Sequence, residues 1–260
     1  MELITSAQNP KVRLLQELQQ KSQQRQRHGL FVVEGRREVE RCIGKGYEVD
    51  TVFVCPEIFG GQWTHKGRAF ELTPALYNKV AYRGGTEGII AEVKTKTCKL
   101  DQLQLSESPL LVVLESIEKP GNLGAVLRSA DASGVDAVIV CDPLCDIYNP
   151  NTIRSSTGAF FSVPCVTCTS EQCISFLRQR CIQILTAQLQ DSELYYDTDM
   201  RRATAIVMGT ESTGLTSLWR QAADAHIRIP MLGVADSLNV SVSAAILMYE
   251  ALRQRRVTHA

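Results

Sequence analysis

Long apolar runs are missing from this chain of 260 residues. No stretch approaches the roughly 18 consecutive apolar residues that span a bilayer. The opening "MELITSAQNPKVRLLQELQQKSQQRQRHG" also lacks the apolar centre of a secretory signal, so the expectation is a cytoplasmic protein with no membrane partner. There is no G-x-G-x-x-G after a strand-like run, no P-loop and no H-E-x-x-H. Histidine is scarce: His28, His65, His226 and His259 are scattered, and no Ser/His/Asp or Cys/His set can be assembled from them. Any chemistry is expected to run without histidine and without metal. Net charge of one sign is absent too, since 28 Lys+Arg balance 28 Asp+Glu. That balance hides a gradient: residues 1–100 hold 16 basic against 11 acidic side chains, which leaves 12 against 17 for the rest. A front half at +5 facing a back half at −5 suits nucleic-acid contact, and suits an ordinary solvated surface equally well.

Cysteine is present but odd in number, nine in all, which reads as reduced thiols rather than a disulfide framework. Cys141 and Cys145 followed by Cys165 and Cys168 come near a zinc-ribbon spacing. The first pair departs from the two-residue spacing of that pattern. Cys141, Cys165 and Cys168 also lie in the strand-like runs "DAVIVC" and "SVPCVTC", where cysteine serves as a small buried hydrophobe. The reading is therefore no metal.

A hydrophobic content of 44% with 22% charged residues describes a chain able to bury a proper core. The length suits one large domain, or one of roughly 150 residues with a smaller companion. Residues 1–29 read as a polar helix around Val12, Leu14, Leu15 and Leu18. Strand-like "LFVVEG", "VDTVFVC" and "GIIAEV" then alternate with short helices, one starting near Pro74, in a small α/β unit over 1–95. The polar stretch 96–108 reads as a linker. From 109 to 260, strand-like runs such as "PLLVVLESI", "VDAVIVCD", "CIQILTAQL", "TAIVMGTE" and "AHIRIPM" alternate with helical ones, so an α/β domain with a mainly parallel sheet covered on both faces is expected.

Four stretches place glycine and polar residues just past an apolar strand, where open α/β sheets bind ligands. In "ESIEKPGNLGAVLRSA", Asn122 looks like a helix N-cap, and Arg128 lies off the Leu123/Val126/Leu127 stripe as a partner of Asp131, a solvent-exposed side chain or a functional cation. "NPNTIRSSTGAFFSVP" offers Arg154 and Ser156 as turn chemistry or as an anion grip. In "VMGTESTGLTSLW", Gly209 and Gly214 permit turns around Glu211. "IPMLGVADSLNVSVSAA" sets Ser237 and Asn239 at the mouth of the last helix.

In this order, "NLGAVLR", "SSTGAFFSVP", "GTESTGL" and "IPMLGVADSLNVSVSAA" resemble the motif set of the SpoU/TrmH branch of the SPOUT RNA ribose 2′-O-methyltransferases. "ITSAQNPKV", "FVVEG" and "GIIAEV" resemble that family's accessory substrate-binding domain, so the likeness spans nearly the whole chain. The resemblance implies an RNA-binding domain over 1–95 and a SPOUT domain over 109–260 with a deep C-terminal trefoil knot. It implies S-adenosylmethionine as methyl donor, held by Gly209, Gly214, Ile229 and Leu238 with Met231 and Ala187 at the adenine side. It further implies a homodimer with Arg128 as the catalytic residue, either as a neutral base or as a charged stabiliser of the developing alkoxide. Asn122, Glu211, Ser237 and Asn239 would orient the reactants, and Arg154, Ser156, Arg36 and Arg37 would contact RNA. Ribosomal RNA is the favoured acceptor. Transfer RNA, a non-catalytic RNA-binding scaffold and an enzyme using another nucleotide are the alternatives.

Overall fold

In the structure, a computed structural model, the described residues are all but Gln62, His65, Lys66, 83–86, Glu211, Ser212 and 258–260. The chain divides into one unit holding residues 1–96 and 146–161 and another holding 97–145 and 162–260.

The first unit opens with β1 (Glu2–Ile4), α1 (Pro10–Gln20) and α2 (Ser22–His28). Asn9 starts α1 by accepting from the Lys11 amide, with proline in the first turn. Gly29, at φ 61°, stops α2 in the left-handed conformation. The expected single helix over 1–29 is thus corrected: β1 pairs in parallel with Phe70–Leu72, and three residues are too few to show an alternation. The unit continues through β2 (Leu30–Glu34), α3 (Arg36–Gly44), β3 (Val49–Val54), α4 (Pro56–Phe59), β4 (Arg68–Leu72), α5 (Pro74–Val80) and β5 (Ile89–Lys94). Its sheet runs β1-β4-β3-β5-β2, with β5 antiparallel to both neighbours.

The second unit begins with β6 (Leu110–Glu115), α6 (Pro120–Ser133) and β7 (Ala137–Cys141). The chain then contributes α7 (Pro150–Ser155) to the first unit. It returns through β8 (Cys165–Cys168), α8 (Ser170–Gln179), β9 (Gln183–Ala187), β10 (Glu193–Leu194), β11 (Thr204–Met208), α9 (Ser217–Ala222), β12 (Ala225–Arg228) and α10 (Val240–Val257). The sheet order is β10-β12-β9-β11-β6-β7-β8, and every pairing in it is parallel. β6, β7 and β11 are buried along their whole length, which is why they read as unbroken apolar runs. The strand order reverses at β6, with β7 and β8 on one side and β11, β9 and β12 on the other. Such a reversal opens a crevice at the strands' carboxyl ends.

Two features depart from the expected boundaries. Residues 97–108 are not a free linker: Leu103 is buried in the second unit's core, with Cys98, Leu100 and Leu105 packed against it. Residues 146–161 do not sit with the rest of 109–260. They pack into the first unit, where Phe31 meets Tyr148, Phe160 and Phe161. There the buried Arg25 pairs with Asp146 at 2.5 Å.

The last helix is pinned at both ends. Val240, Ala244, Leu247, Met248 and Ala251 are buried where α10 packs on α6 and β11. Arg255, in what reads as a basic tail, instead donates to the carbonyls of Met200, Ser108, Pro109 and Arg202.

Candidate active site

The segments after β9, β11 and β12, together with the start of α10, enclose a cavity of about 340 Å³ within the second unit. All six residues expected at a cofactor line it: Ala187, Gly209, Gly214, Ile229, Met231 and Leu238. Its wall also includes the apolar Met208, Leu215, Val240 and Leu247 and the polar or charged Gln188, Gln190, Arg220, Arg228 and Asp236, so apolar and polar groups share it.

The turn after β11 depends on glycine. A Cβ on Gly209 would collide with the backbone of Gly214 and Leu215, and Gly214 itself is left-handed at φ 68°. Between them the chain folds on itself: the Thr210 and Gly214 amides donate to each other's carbonyls at 3.3 and 3.1 Å. The Thr210 hydroxyl oxygen accepts from the Thr213 amide. Glu211 lies outside the described residues.

Reading the residues did not single out Glu115, the buried carboxylate that ends β6. It accepts from the Thr216 amide and hydroxyl at 2.9 and 2.7 Å, fixing the far end of the same turn. The only signal in the sequence is a lone charge closing the apolar run "LLVVLE".

A second cavity of about 140 Å³ adjoins the first, sharing Gly209, Thr210 and Val240 and adding Glu115, Lys119 and Asn122. At its edge two of the expected residues meet: the Asn239 side-chain amide donates to Asn122 Oδ1 at 3.2 Å. Asn239 also starts α10, its Oδ1 accepting from the Ser241 amide and hydroxyl. One side chain therefore both caps α10 and reaches Asn122. The expected capping role of Asn122 is corrected, because Lys119 holds the N-cap position and Asn122 falls inside the first turn of α6. Ser237 lines the larger cavity and donates to Asp236.

Arg128 is not brought to either cavity wall. It is exposed on α6, with no hydrogen bond or ion pair to Asp131 or any other described residue. At about 100° per residue, six positions put Asn122 and Arg128 on different faces of the helix.

The residues expected to meet RNA gather in the first unit. Arg36 and Arg37 are exposed at the start of α3, and Arg154 is exposed on α7. These helices are neighbours, since Arg41 of α3 donates to the Thr157 carbonyl just after α7. Ser156 is a correction. It is fully buried, donates to the Ile153 carbonyl and accepts from the Phe160 amide, so it shapes the turn and is shielded from any partner.

The family model described as the SpoU rRNA Methylase family matches residues 109–249, and an MRM3-like substrate binding domain model matches residues 9–91. Among similar proteins is the 23S rRNA (uridine(2479)-2'-O)-methyltransferase of Streptomyces viridochromogenes, 30% identical over 89% of this chain and 85% of that one. The 23S rRNA (guanosine(2553)-2'-O)-methyltransferase of Bacillus subtilis is 28% identical over 96% of this chain and 98% of its own. The solved structure of the SpoU methyltransferase AviRb from Streptomyces viridochromogenes in complex with AdoMet superposes with a TM-score of 0.89. It is 29% identical and covers 96% of this chain and 99% of that one.

Proposed function

Because the chain belongs to the SpoU rRNA methylase family and is an S-adenosylmethionine-dependent RNA ribose 2′-O-methyltransferase, we propose that the 340 Å³ cavity holds the donor and that ribosomal RNA is the acceptor. The observation that carries the site assignment is convergence. Six residues spread from 187 to 238 in the sequence line one cavity, and it adjoins a smaller one edged by the Asn122–Asn239 pair. The cavity falls in the roughly 300–1,000 Å³ range of small-molecule sites. Its turn admits only glycine at 209, because a Cβ there would collide with the backbone of Gly214 and Leu215.

When bound, S-adenosylmethionine supplies an electrophilic methyl group on a sulfonium. The chain's own residues do the rest. Met231, Leu215 and Leu247 exclude water from one side. Asn239, fixed as a helix cap, and Asn122 present amide groups beside the smaller cavity, where the ribose is placed. Arg128 donates to the 2′ oxygen and stabilises charge as it develops, a role suited to a side chain with five N–H donors and no acceptor. Exposed on α6, it works in a site completed by the second subunit of a homodimer. The exposed Val242 and Tyr249, seven residues apart on α10, supply an apolar stripe for that contact. The path from β12 at one side of the sheet back to α10 against α6 and β11 supports a deep trefoil knot. Arg36, Arg37 and Arg154 form the contact to structured RNA, and the enzyme works in the cytoplasm.

Arg128→Ala is expected to lower methyl transfer about 10²–10³-fold while leaving donor affinity within a few fold. Parallel loss of both would mean the arginine supports the fold instead. Mapping new 2′-O-methyl marks after incubating the enzyme with total RNA tests the acceptor: marks confined to transfer RNA would overturn the ribosomal assignment.

A further inference from the structure

Three thiols outside the methyl-transfer site converge where β7, β8 and α8 meet. Cys141 ends β7 and Cys168 ends β8, and the two are direct partners in the parallel register. Direct partners project to the same face of a sheet, here with Sγ atoms 3.8 Å apart. Thr169 and Gln172 form a capping box that sets where α8 begins. The Cys173 amide bonds back to the Thr169 carbonyl, which places the third thiol over the strand ends. All three Sγ atoms lie within 4.8 Å of one another. Cys141 and Cys173 are fully buried and Cys168 is half-buried, so the cluster has a single accessible side.

A disulfide needs two of these sulfurs, and plain core packing needs none of them to be sulfur. Three thiolates around one ion at metal–sulfur distances of about 2.3 Å stand roughly 3.8–4.0 Å apart, which the Cys141–Cys168 spacing already meets. We propose that Cys141, Cys168 and Cys173 form a binding site for one thiophilic d¹⁰ ion, with Cu⁺ in trigonal coordination as the fitting occupant. Soft thiolate donors select Cu⁺ and Zn²⁺, and a closed structural Zn²⁺ site takes four protein ligands. Only these three donors come together among the described residues. Binding releases the thiol protons to solvent and ties the edge strand β8 to β7 and α8. The zinc-ribbon-like spacing set aside in the sequence would have grouped Cys145 and Cys165 with Cys141 and Cys168. The fold replaces them with Cys173, five residues beyond Cys168.

The test is an anaerobic titration of the reduced, chelator-treated full-length protein with Cu⁺ against a chromophoric competitor, followed by X-ray absorption at the copper edge. One ion per chain with three sulfur neighbours is expected. Cys173→Ala and Cys168→Ala, with folding checked by circular dichroism, should each abolish uptake, and Cys181→Ala, an exposed cysteine outside the cluster, should retain it. Negligible uptake by the parent would overturn the proposal, as would coordination by fewer than three sulfurs or undiminished uptake in folded Cys173→Ala. A Cys141–Cys168 disulfide that forms in air without any metal uptake would also overturn it and mark the pair as a redox couple.

Discussion

Asn239 divides its amide between two tasks, Oδ1 capping α10 and Nδ2 reaching Asn122, so its position is set before any substrate arrives. At the same scale, Glu92 supplies a stability switch. It is buried on β5 with Oε1 lacking a partner among the described residues. Burial, reinforced by Asp50 and opposed by Arg68 and a Thr51 hydrogen bond, raises its pKa from 4.5 to about 8. A raised carboxylate pKa means the folded protein holds a proton that the unfolded chain has released between those values. Stability therefore falls as pH climbs from about 4.5 towards 8, by at most about 1.4 kcal/mol per unit. Denaturant melts at pH 5.5 and 8.5 should show this slope, and Glu92→Gln should flatten it. An equal slope in both proteins would place the proton elsewhere.

At the scale of elements, Arg255 binds the end of α10 to the turns before β6 and β11 through four carbonyls. Arg255→Ala should destabilise the protein by about 1–3 kcal/mol, since it removes the hydrogen bonds of a charged donor, two of them part-buried at Met200 and Pro109, measurable as a lower denaturant midpoint. A change within about 0.5 kcal/mol would show the contacts to be surface decoration. Elements are also where the sequence was most and least readable. The strands of the parallel sheet were legible because burial on both faces makes them continuous apolar runs. Gly209 and Gly214 were legible because glycine follows an apolar strand there, whereas Ala187, Ile229, Met231 and Leu238 came only with the family resemblance. Ser156 was misjudged because a loop serine serving a turn has the same composition as one serving an anion, and only burial separates them. β1, the packed 97–108 segment and the Cys141–Cys168–Cys173 convergence were hidden for a shared reason: each depends on a partner distant in the chain, which no local period reveals.

For the molecule as a whole, the excursion of 146–161 into the first unit changes how the RNA contact can be tested. Deleting residues 1–96 would uncover Phe160 and Phe161, both buried in the full chain, and would confuse loss of contact with loss of packing. Charge reversal is cleaner. Arg36→Glu, Arg37→Glu and Arg154→Glu together should weaken RNA binding and reduce its dependence on salt by roughly the number of phosphate contacts removed, with donor affinity unchanged. An unaltered salt slope would exclude these side chains from the RNA surface.

The central claim is that the cavity built on the Gly209 turn receives the methyl donor. Calorimetric titration of S-adenosylmethionine into the parent protein and into Gly209→Ala, with thermal melts to verify folding, tests it most directly. The account predicts saturable binding in the parent and, because an added Cβ collides with the Gly214 and Leu215 backbone, at least about tenfold weaker binding in the variant. Equal affinity in two equally folded proteins would contradict it.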